Sequence, residues 1–284
     1  MYNIVQMDIT FVIVLGIIVI LVVSILGSII CKRREHFVYP ERNINAAILF
    51  AAYKLNEHDY SFIQAWNSEI PFYVVVNGEP TEWDNKVIQI VGEDRYINRP
   101  NEGYDAYAWK EGITRWKDQL SEYDSVALIN NSCIYGIDMK KFFAHAIDYD
   151  MYGLHPNCLT TFKWHKLSIR HHTQHLQSYC IAIGKRLFNS DDFRKYWDEL
   201  PEITSLITAI MRHELRFSEH FYELGYKLGT YTFPLYFESV YKQPSRKHGR
   251  YYREFIKIKD MKAHADSYNK YTNYITRMRE NGYD

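Results

Sequence analysis

Ala46-Ala47-Ile48-Leu49-Phe50-Ala51-Ala52-Tyr53 is an unbroken apolar run. A short continuous run of this kind fits a strand buried on both faces, as in a parallel sheet. Pro71-Phe72-Tyr73-Val74-Val75-Val76-Asn77-Gly78 is a second such run ending in a turn. Lys86 to Gly92 reads as a third strand and Ser125-Val126-Ala127-Leu128-Ile129-Asn130 as a fourth. Helical periodicity lies between them, around Tyr60 to Trp66 and from Tyr104 to Leu120. In the second helix Trp109, Ile113, Trp116 and Leu120 recur at three- and four-residue spacing. Strands alternating with helices predict βαβ units and a mostly parallel sheet. Such sheets bind ligands at the carboxyl ends of their strands. That rule places Tyr53, Asn77, Asn130, Asn131 and Ser132 in one crevice.

The second half adds a strand at Ser178 to Ile183 and a helix capped by Ser190 that runs through Trp197. A further helix over Ile203 to Leu224 ends at Gly225. After Lys242 the chain is rich in Lys, Arg and Tyr, which predicts a helical extension lying on solvent or near an anionic membrane surface.

Ahead of the first strand, Ile9 to Ile30 is an uncharged apolar stretch of about 22 residues, long enough for a helix to span a bilayer. The N-terminus before it has no Lys or Arg, and bulky Ile29 and Ile30 stand where a cleavage site needs small residues, so the stretch reads as an uncleaved anchor. Lys32, Arg33 and Arg34 follow at once, and a basic flank stays cytoplasmic. The expected organisation is a short segment 1–8, a transmembrane helix 9–31, a basic linker 32–45, a domain 46–241 and a basic Tyr-rich extension 242–284. The large domain is expected in the cytoplasm.

The formal net charge is zero, which speaks against nucleic acid as a partner. Cys31, Cys133, Cys158 and Cys180 form no Cys-x-x-Cys pair, and the last three read as free thiols of a reducing compartment. His165, His171, His172 and His175 lie close together but match no zinc spacing, so no metal is assigned to them.

Three segments in order resemble the rhamnan synthesis protein F family of glycosyltransferases. The first is Arg99-Pro100-Asn101-Glu102-Gly103-Tyr104-Asp105-Ala106-Tyr107-Ala108-Trp109-Lys110-Glu111-Gly112. The second is the strand ending Leu128-Ile129-Asn130-Asn131-Ser132-Cys133-Ile134-Tyr135-Gly136. The third joins Asp150-Met151-Tyr152-Gly153-Leu154, His175-Leu176-Gln177-Ser178-Tyr179 and Phe193-Arg194-Lys195-Tyr196-Trp197. The resemblance covers about residues 46 to 230 and implies a GT-A-like, Rossmann-type fold preceded by the membrane helix.

It also implies transfer of a sugar, rhamnose or another deoxyhexose, from a nucleotide donor to a glycan or lipid-linked acceptor at a membrane. The donor contacts it suggests are Tyr53, Asn77, Arg99, Asn101, Asp105, Lys110, Asn130, Asn131 and Ser132. His175, Gln177 and Tyr179 would touch acceptor or phosphate. Asp150 or Glu214 would serve as the base that deprotonates the acceptor.

GT-A enzymes usually hold Mn²⁺ or Mg²⁺ through an Asp-x-Asp motif at the end of the fourth strand. Here that place reads Asn130-Asn131-Ser132, which departs even from the Asn-Asp-Ser of the family it resembles, Asn131 replacing the Asp, and amides are poor ligands for a hard cation compared with carboxylates. The departure leaves open a second reading, a non-catalytic member that binds a glycan or a protein at a membrane.

Overall fold

The computed structural model describes residues 44–157, 160–164, 167–171, 175–231 and 255–257. The expected anchor and its basic flank, Cys31, Cys158, His165, His172 and most of the expected basic extension lie outside the described residues. Among the described residues no helix is long and apolar enough to cross a membrane.

The chain runs β1 (Ala46–Tyr53), α1 (Glu57–Trp66), β2 (Phe72–Asn77), α2 (Asp84–Val91), β3 (Tyr96–Arg99), α3 (Tyr104–Arg115), α4 (Lys117–Ser121) and β4 (Ser125–Asn130). It continues through β5 (Cys133–Tyr135), α5 (Met139–Ala146), β6 (Met151–Gly153), β7 (Pro156–Asn157), β8 (Thr160–Trp164), β9 (Leu167–His171), β10 (His175–Leu176) and β11 (Cys180–Gly184). Then come α6 (Lys185–Phe188), α7 (Asp191–Asp198), α8 (Leu206–Ala209), a π-helical turn (Ile210–Glu214), α9 (Leu215–Glu223), β12 (Leu228–Thr230) and β13 (Phe255–Lys257).

Seven strands form the main sheet in the order β12-β6-β11-β4-β1-β2-β3. Only β11 is reversed; it pairs antiparallel with both β4 and β6, and the remaining pairs are parallel. This mixed α/β arrangement, a mostly parallel sheet flanked by helices, fits a GT-A-like fold.

The two faces follow from the two-residue period of a strand. In β1, Ile48, Phe50 and Ala52 join Phe62 of α1, Val87 of α2 and Phe142 of α5 on one side. Ala47, Leu49 and Ala51 meet Trp109 of α3, Trp197 of α7 and Phe221 of α9 on the other. Both faces being covered, β1 shows no polar alternation. Gly112 lets α3 approach this closely: a Cβ there would stand 2.6 Å from Leu49 Cδ1.

Three expectations need correction. Residues 84 to 91 form helix α2, not a strand. Val87 and Val91 are buried one helical turn apart while Ile88 and Ile90 are partly exposed, so the periodicity is that of a helix lying on a sheet. The third parallel strand is Tyr96–Arg99. Ser178 and Tyr179, expected to open a strand, lie in the turn between β10 and β11, and the strand starts at Cys180. Phe255–Lys257, within the expected helical extension, is a strand paired antiparallel with β5.

Candidate functional site

The register brings the strand ends together. Tyr53 lies opposite Asn77, Asn77 opposite Arg99, and Ala51 opposite Asn130. The last residues of β4, β1, β2 and β3 therefore share one edge of the sheet. The chain leaves β3 through Gly103 and Tyr104, both left-handed, with φ of 66° and 55°. Gly103 is required, because a Cβ there would fall 2.0 Å from the Tyr107 ring. Tyr104 carries the strain of a side chain in this conformation, about 1–2 kcal/mol.

That turn is braced from β2 and β3. Asn77 Nδ2 donates to the Tyr104 carbonyl (3.2 Å), and Asn77 Oδ1 accepts from Arg99 Nη1 (2.7 Å). Arg99 also donates through Nε to Glu111 (2.7 Å) and through Nη1 to the Glu102 carbonyl (2.9 Å). Both residues thus work on the loop that delivers Asp105 to the first turn of α3.

Asp105 meets Asn130 across the crevice: Asn130 Nδ2 donates to Asp105 Oδ2 at 2.6 Å. Burial pushes the Asp105 carboxyl up, the Asn130 hydrogen bond pulls it down, and the negative charge of Glu214 raises it again, to about 6. Asn130 is 3% exposed and its Oδ1 accepts from the Ser132 N–H (3.0 Å) and hydroxyl (2.6 Å). A carboxylate held by a neutral amide beside a second acid is poised to exchange a proton or to accept ligand hydroxyls.

Asn131 turns the other way. Its Oδ1 accepts the Tyr53 N–H (3.1 Å), while Nδ2 donates to the Lys54 carbonyl (3.3 Å) and to Asp59 Oδ2 (3.1 Å). Asp59 is buried near the start of α1, where it completes a capping box with Asn56. Burial raises its carboxyl to about 7 against the hydrogen bonds from Asn131 and the Asn56 N–H.

The amide oxygens at 130 and 131 are thus taken up by internal hydrogen bonds and carry no charge. Among the described residues no group of three His, Cys, Asp or Glu side chains is placed to hold a metal. These residues do not fit a divalent cation.

The opposite wall comes from the second half of the chain. His175 (1% exposed) lies with its Nε2 3.0 Å from Gln177 Nε2 and 4.0 Å from Glu214 Oε1. Glu214 closes the π-helical turn, a feature frequent at functional sites. The preceding residue, His213, anchors that turn inward: its Nδ1 is 2.9 Å from the Tyr196 hydroxyl, and its ring packs against Trp109, Trp197 and Phe217. Burial lowers His213 to about 3, so it is neutral.

Asp105, Asn130, His175, Gln177 and Glu214 therefore converge. Tyr53 stands at the rim, 54% exposed, with its ring edge by Gly78, where an added Cβ would be 3.4 Å from Tyr53 Cε2. Tyr179 contributes backbone, its carbonyl accepting from the Asn130 N–H (3.1 Å) and the Tyr135 hydroxyl (2.6 Å). Asn101 is exposed on the turn before Gly103, and Lys110 Nζ donates to the Asp198 carbonyl (3.3 Å) at the end of α7.

Asp150 is not part of this group. Gly184 pairs with Ser125 at the amino end of β4, and its N–H donates to the Asp150 carbonyl (2.9 Å). Asp150 therefore sits at the far end of β4 from Asn130, about 17 Å away at the rise of a six-residue strand. It is clamped by Arg186, with Nε at 2.6 Å from Oδ1 and a second bond from Nη2, and by the Lys227 N–H at 2.7 Å. Burial acts to raise its carboxyl, but these bonds and charges outweigh it and hold it below the usual range.

His213, Asp59 and the left-handed Lys54 and Tyr104 were not among the expected site residues. Only Asp59 had a sequence signal, the Asn-x-x-Asp spacing of a capping box.

The fold is similar to solved structures at low identity. HddC from Yersinia pseudotuberculosis aligns at 11% identity over 65% of this chain and 89% of that one, with a TM-score of 0.37. The inositol-1-phosphate CTP transferase from T. maritima aligns at 11% over 67% and 86%, with a TM-score of 0.38. The glycosyltransferase GlyE from Streptococcus pneumoniae TIGR4 aligns at 10% over 68% and 47%, with a TM-score of 0.36. At these scores the likeness carries no functional weight. No curated protein matches the sequence. The profile of rhamnan synthesis protein F, by contrast, matches residues 72–271, from β2 past β13 and through both walls of the crevice, and the chain belongs to that family.

Proposed function

We propose that the chain is a membrane-anchored glycosyltransferase that moves a sugar from a nucleotide donor to a glycan or lipid-linked acceptor. The observation that carries this reading is the convergence of the Asp105–Asn130 pair with His175, Gln177 and Glu214 at the carboxyl ends of the sheet. The exposed Tyr53 ring offers stacking surface for a nucleobase. Asp105 and Asn130 receive hydroxyls of the ribose or sugar. His175 and Gln177 face the acceptor or the phosphate.

Glu214 takes the proton of the acceptor hydroxyl as that oxygen bonds to the anomeric carbon. The bond from that carbon to the diphosphate breaks, and the nucleoside diphosphate leaves with its electron pair. Placed at the other end of β4, Asp150 is the weaker candidate for this step. The family name supports rhamnose or another deoxyhexose as the sugar. The apolar segment 9–30 and the basic Lys32 to Arg34 support a bilayer anchor with the domain in the cytoplasm.

Turnover of a panel of nucleotide sugars by the full chain in lipid vesicles tests this. The expected result is release of nucleoside diphosphate from one donor class, strongly reduced in Glu214→Gln. Binding of a glycan with no turnover of any donor would favour the second reading, a binding module, to which the uncharged and internally bonded Asn130 to Ser132 segment points. Protease access to the domain from the outer face of right-side-out vesicles would refute the cytoplasmic orientation.

A further inference from the structure

We infer that Lys54 binds the diphosphate of the donor and takes the place of a divalent metal ion. The inference rests on the donor reading above. Its starting point is the residue that departs from the acidic motif, Asn131. Asn131 grips the end of β1 from both sides, accepting the Tyr53 N–H and donating to the Lys54 carbonyl. Lys54 between these bonds is left-handed, with φ of 57°, a conformation rare for a lysine. Strained residues held by surrounding bonds cluster at ligand sites.

An aspartate at 131 would undo this arrangement. It has no N–H to donate to the Lys54 carbonyl, and its charge would face the buried Asp59. The amide that is a poor metal ligand is the right group for presenting Lys54. The residue that lacks the carboxylate is thus the one whose amide bonds the backbone on both sides of the left-handed Lys54.

The side chain of Lys54 lies over the carboxyl end of the sheet. Its Nζ is 5.8 Å from the centroid of the exposed Tyr53 ring, and its Cε is 3.8 Å from the Cβ position of Gly78 at the end of β2. The other candidate cations at this edge are committed, Arg99 to Glu111 and Asn77, and Lys110 to the Asp198 carbonyl. Lys54 is exposed, and among the described residues no carboxylate lies within ion-pairing distance of it. An ammonium beside an aromatic platform suits a nucleotide, with the base on the ring and the phosphates on the charge. It would stabilise the departing diphosphate as a metal does, without coordination.

Calorimetric binding of UDP, GDP, dTDP and the parent nucleosides to the full chain in EDTA, repeated with Mn²⁺, tests the assignment. Lys54→Gly is the informative variant, because glycine suits the left-handed backbone and removes the ammonium with its side chain without adding backbone strain. A thermal melt checks that it folds. One diphosphate is expected to bind in EDTA, about tenfold more weakly in Lys54→Gly, with near-normal binding in Lys54→Arg and nucleoside affinity unchanged. Diphosphate binding abolished by EDTA, or equal in wild type and Lys54→Gly, overturns the assignment and leaves the donor reading standing. No binding by any nucleotide overturns both.

Discussion

Two aspartates at opposite ends of the same strand have opposite chemistry. Asp105, beside the carboxyl end of β4, faces a neutral amide and a second acid, and its carboxyl is raised to about 6. Asp150, beside the amino end, is forked by Arg186 and bonded by the Lys227 N–H, and its carboxyl is lowered. The first is costly to keep ionised and makes its costly contacts where a ligand would enter. The second is fully answered by its partners and fastens β6 and β11 to the segment leading into β12. In a mostly parallel sheet the amino ends are joinery and the carboxyl ends are left for ligands. The difference favours Glu214 over Asp150 as the base of the proposed transfer, since of the two only Glu214 shares the crevice with Asp105.

The comparison breaks most readily in turnover. Glu214→Gln is expected to lower the rate of sugar transfer by about 10²–10⁴-fold, the range for loss of a general base, while donor affinity is kept. Asp150→Asn is expected to leave the rate per folded molecule within about threefold of wild type, since it touches no crevice residue. A rate collapse in Asp150→Asn alone would reverse the two assignments.

Stability sharpens the comparison through its pH dependence. A carboxyl raised on folding binds its proton more tightly in the native state. Ionised Asp105 therefore costs stability above about pH 6, and the cost fades as pH falls from 6 toward the unfolded value near 4. Asp105→Asn should melt higher at about pH 8, by roughly 1–3 kcal/mol, with the gain shrinking toward pH 4. Asp150 has the opposite sign. Its contribution is present above the unfolded value and disappears as pH falls through its lower folded value. Asp150→Asn should lose about 1–2 kcal/mol at neutral pH, mainly through the weakened bond to the Lys227 N–H, and should converge with wild type in strong acid. Parallel melts from acid to mild alkali check both signs.

The smallest expected effect lies at the rim. Tyr53→Phe keeps the ring and its stacking surface, so donor affinity should change less than about twofold, whereas Tyr53→Ala should weaken it by about tenfold. Direct titration of the two variants distinguishes stacking from a role for the hydroxyl.

Much of the scaffold was legible because burial on both faces leaves a plain mark. β1, β2 and β4 are short unbroken apolar runs, and the parallel-sheet rule alone put Tyr53, Asn77 and Asn130 at one edge of the sheet, where the register has them, although Asn131 turns away toward Asp59 and Asn77 braces the Tyr104 turn. The strand expected at 86–92 failed because Val87-Ile88 and Ile90-Val91 look apolar throughout, while only the residues one helical turn apart are buried. β3, Tyr96-Ile97-Asn98-Arg99, is an edge strand with no fully buried residue, so it leaves no apolar run to read.

In the site, the pairing of Asp105 with Asn130 spans 25 residues and depends on Gly103 and Tyr104 both turning left-handed. Local propensity predicts that for the glycine and not for the tyrosine. The inward turn of His213, which sets Glu214 at the crevice, is equally hidden, because a π turn has no periodic signature of its own. Asp150 carried a motif but not an address; only the register of β11 shows at which end of the sheet it stands.

Donor titration of three proteins side by side, wild type, Asp105→Ala and Asp150→Asn, tests the central claim most directly. The account predicts that one nucleotide sugar binds the wild type and Asp150→Asn with the same affinity, and Asp105→Ala at least about tenfold more weakly. Equal binding by wild type and Asp105→Ala, with the loss appearing in Asp150→Asn, would contradict it.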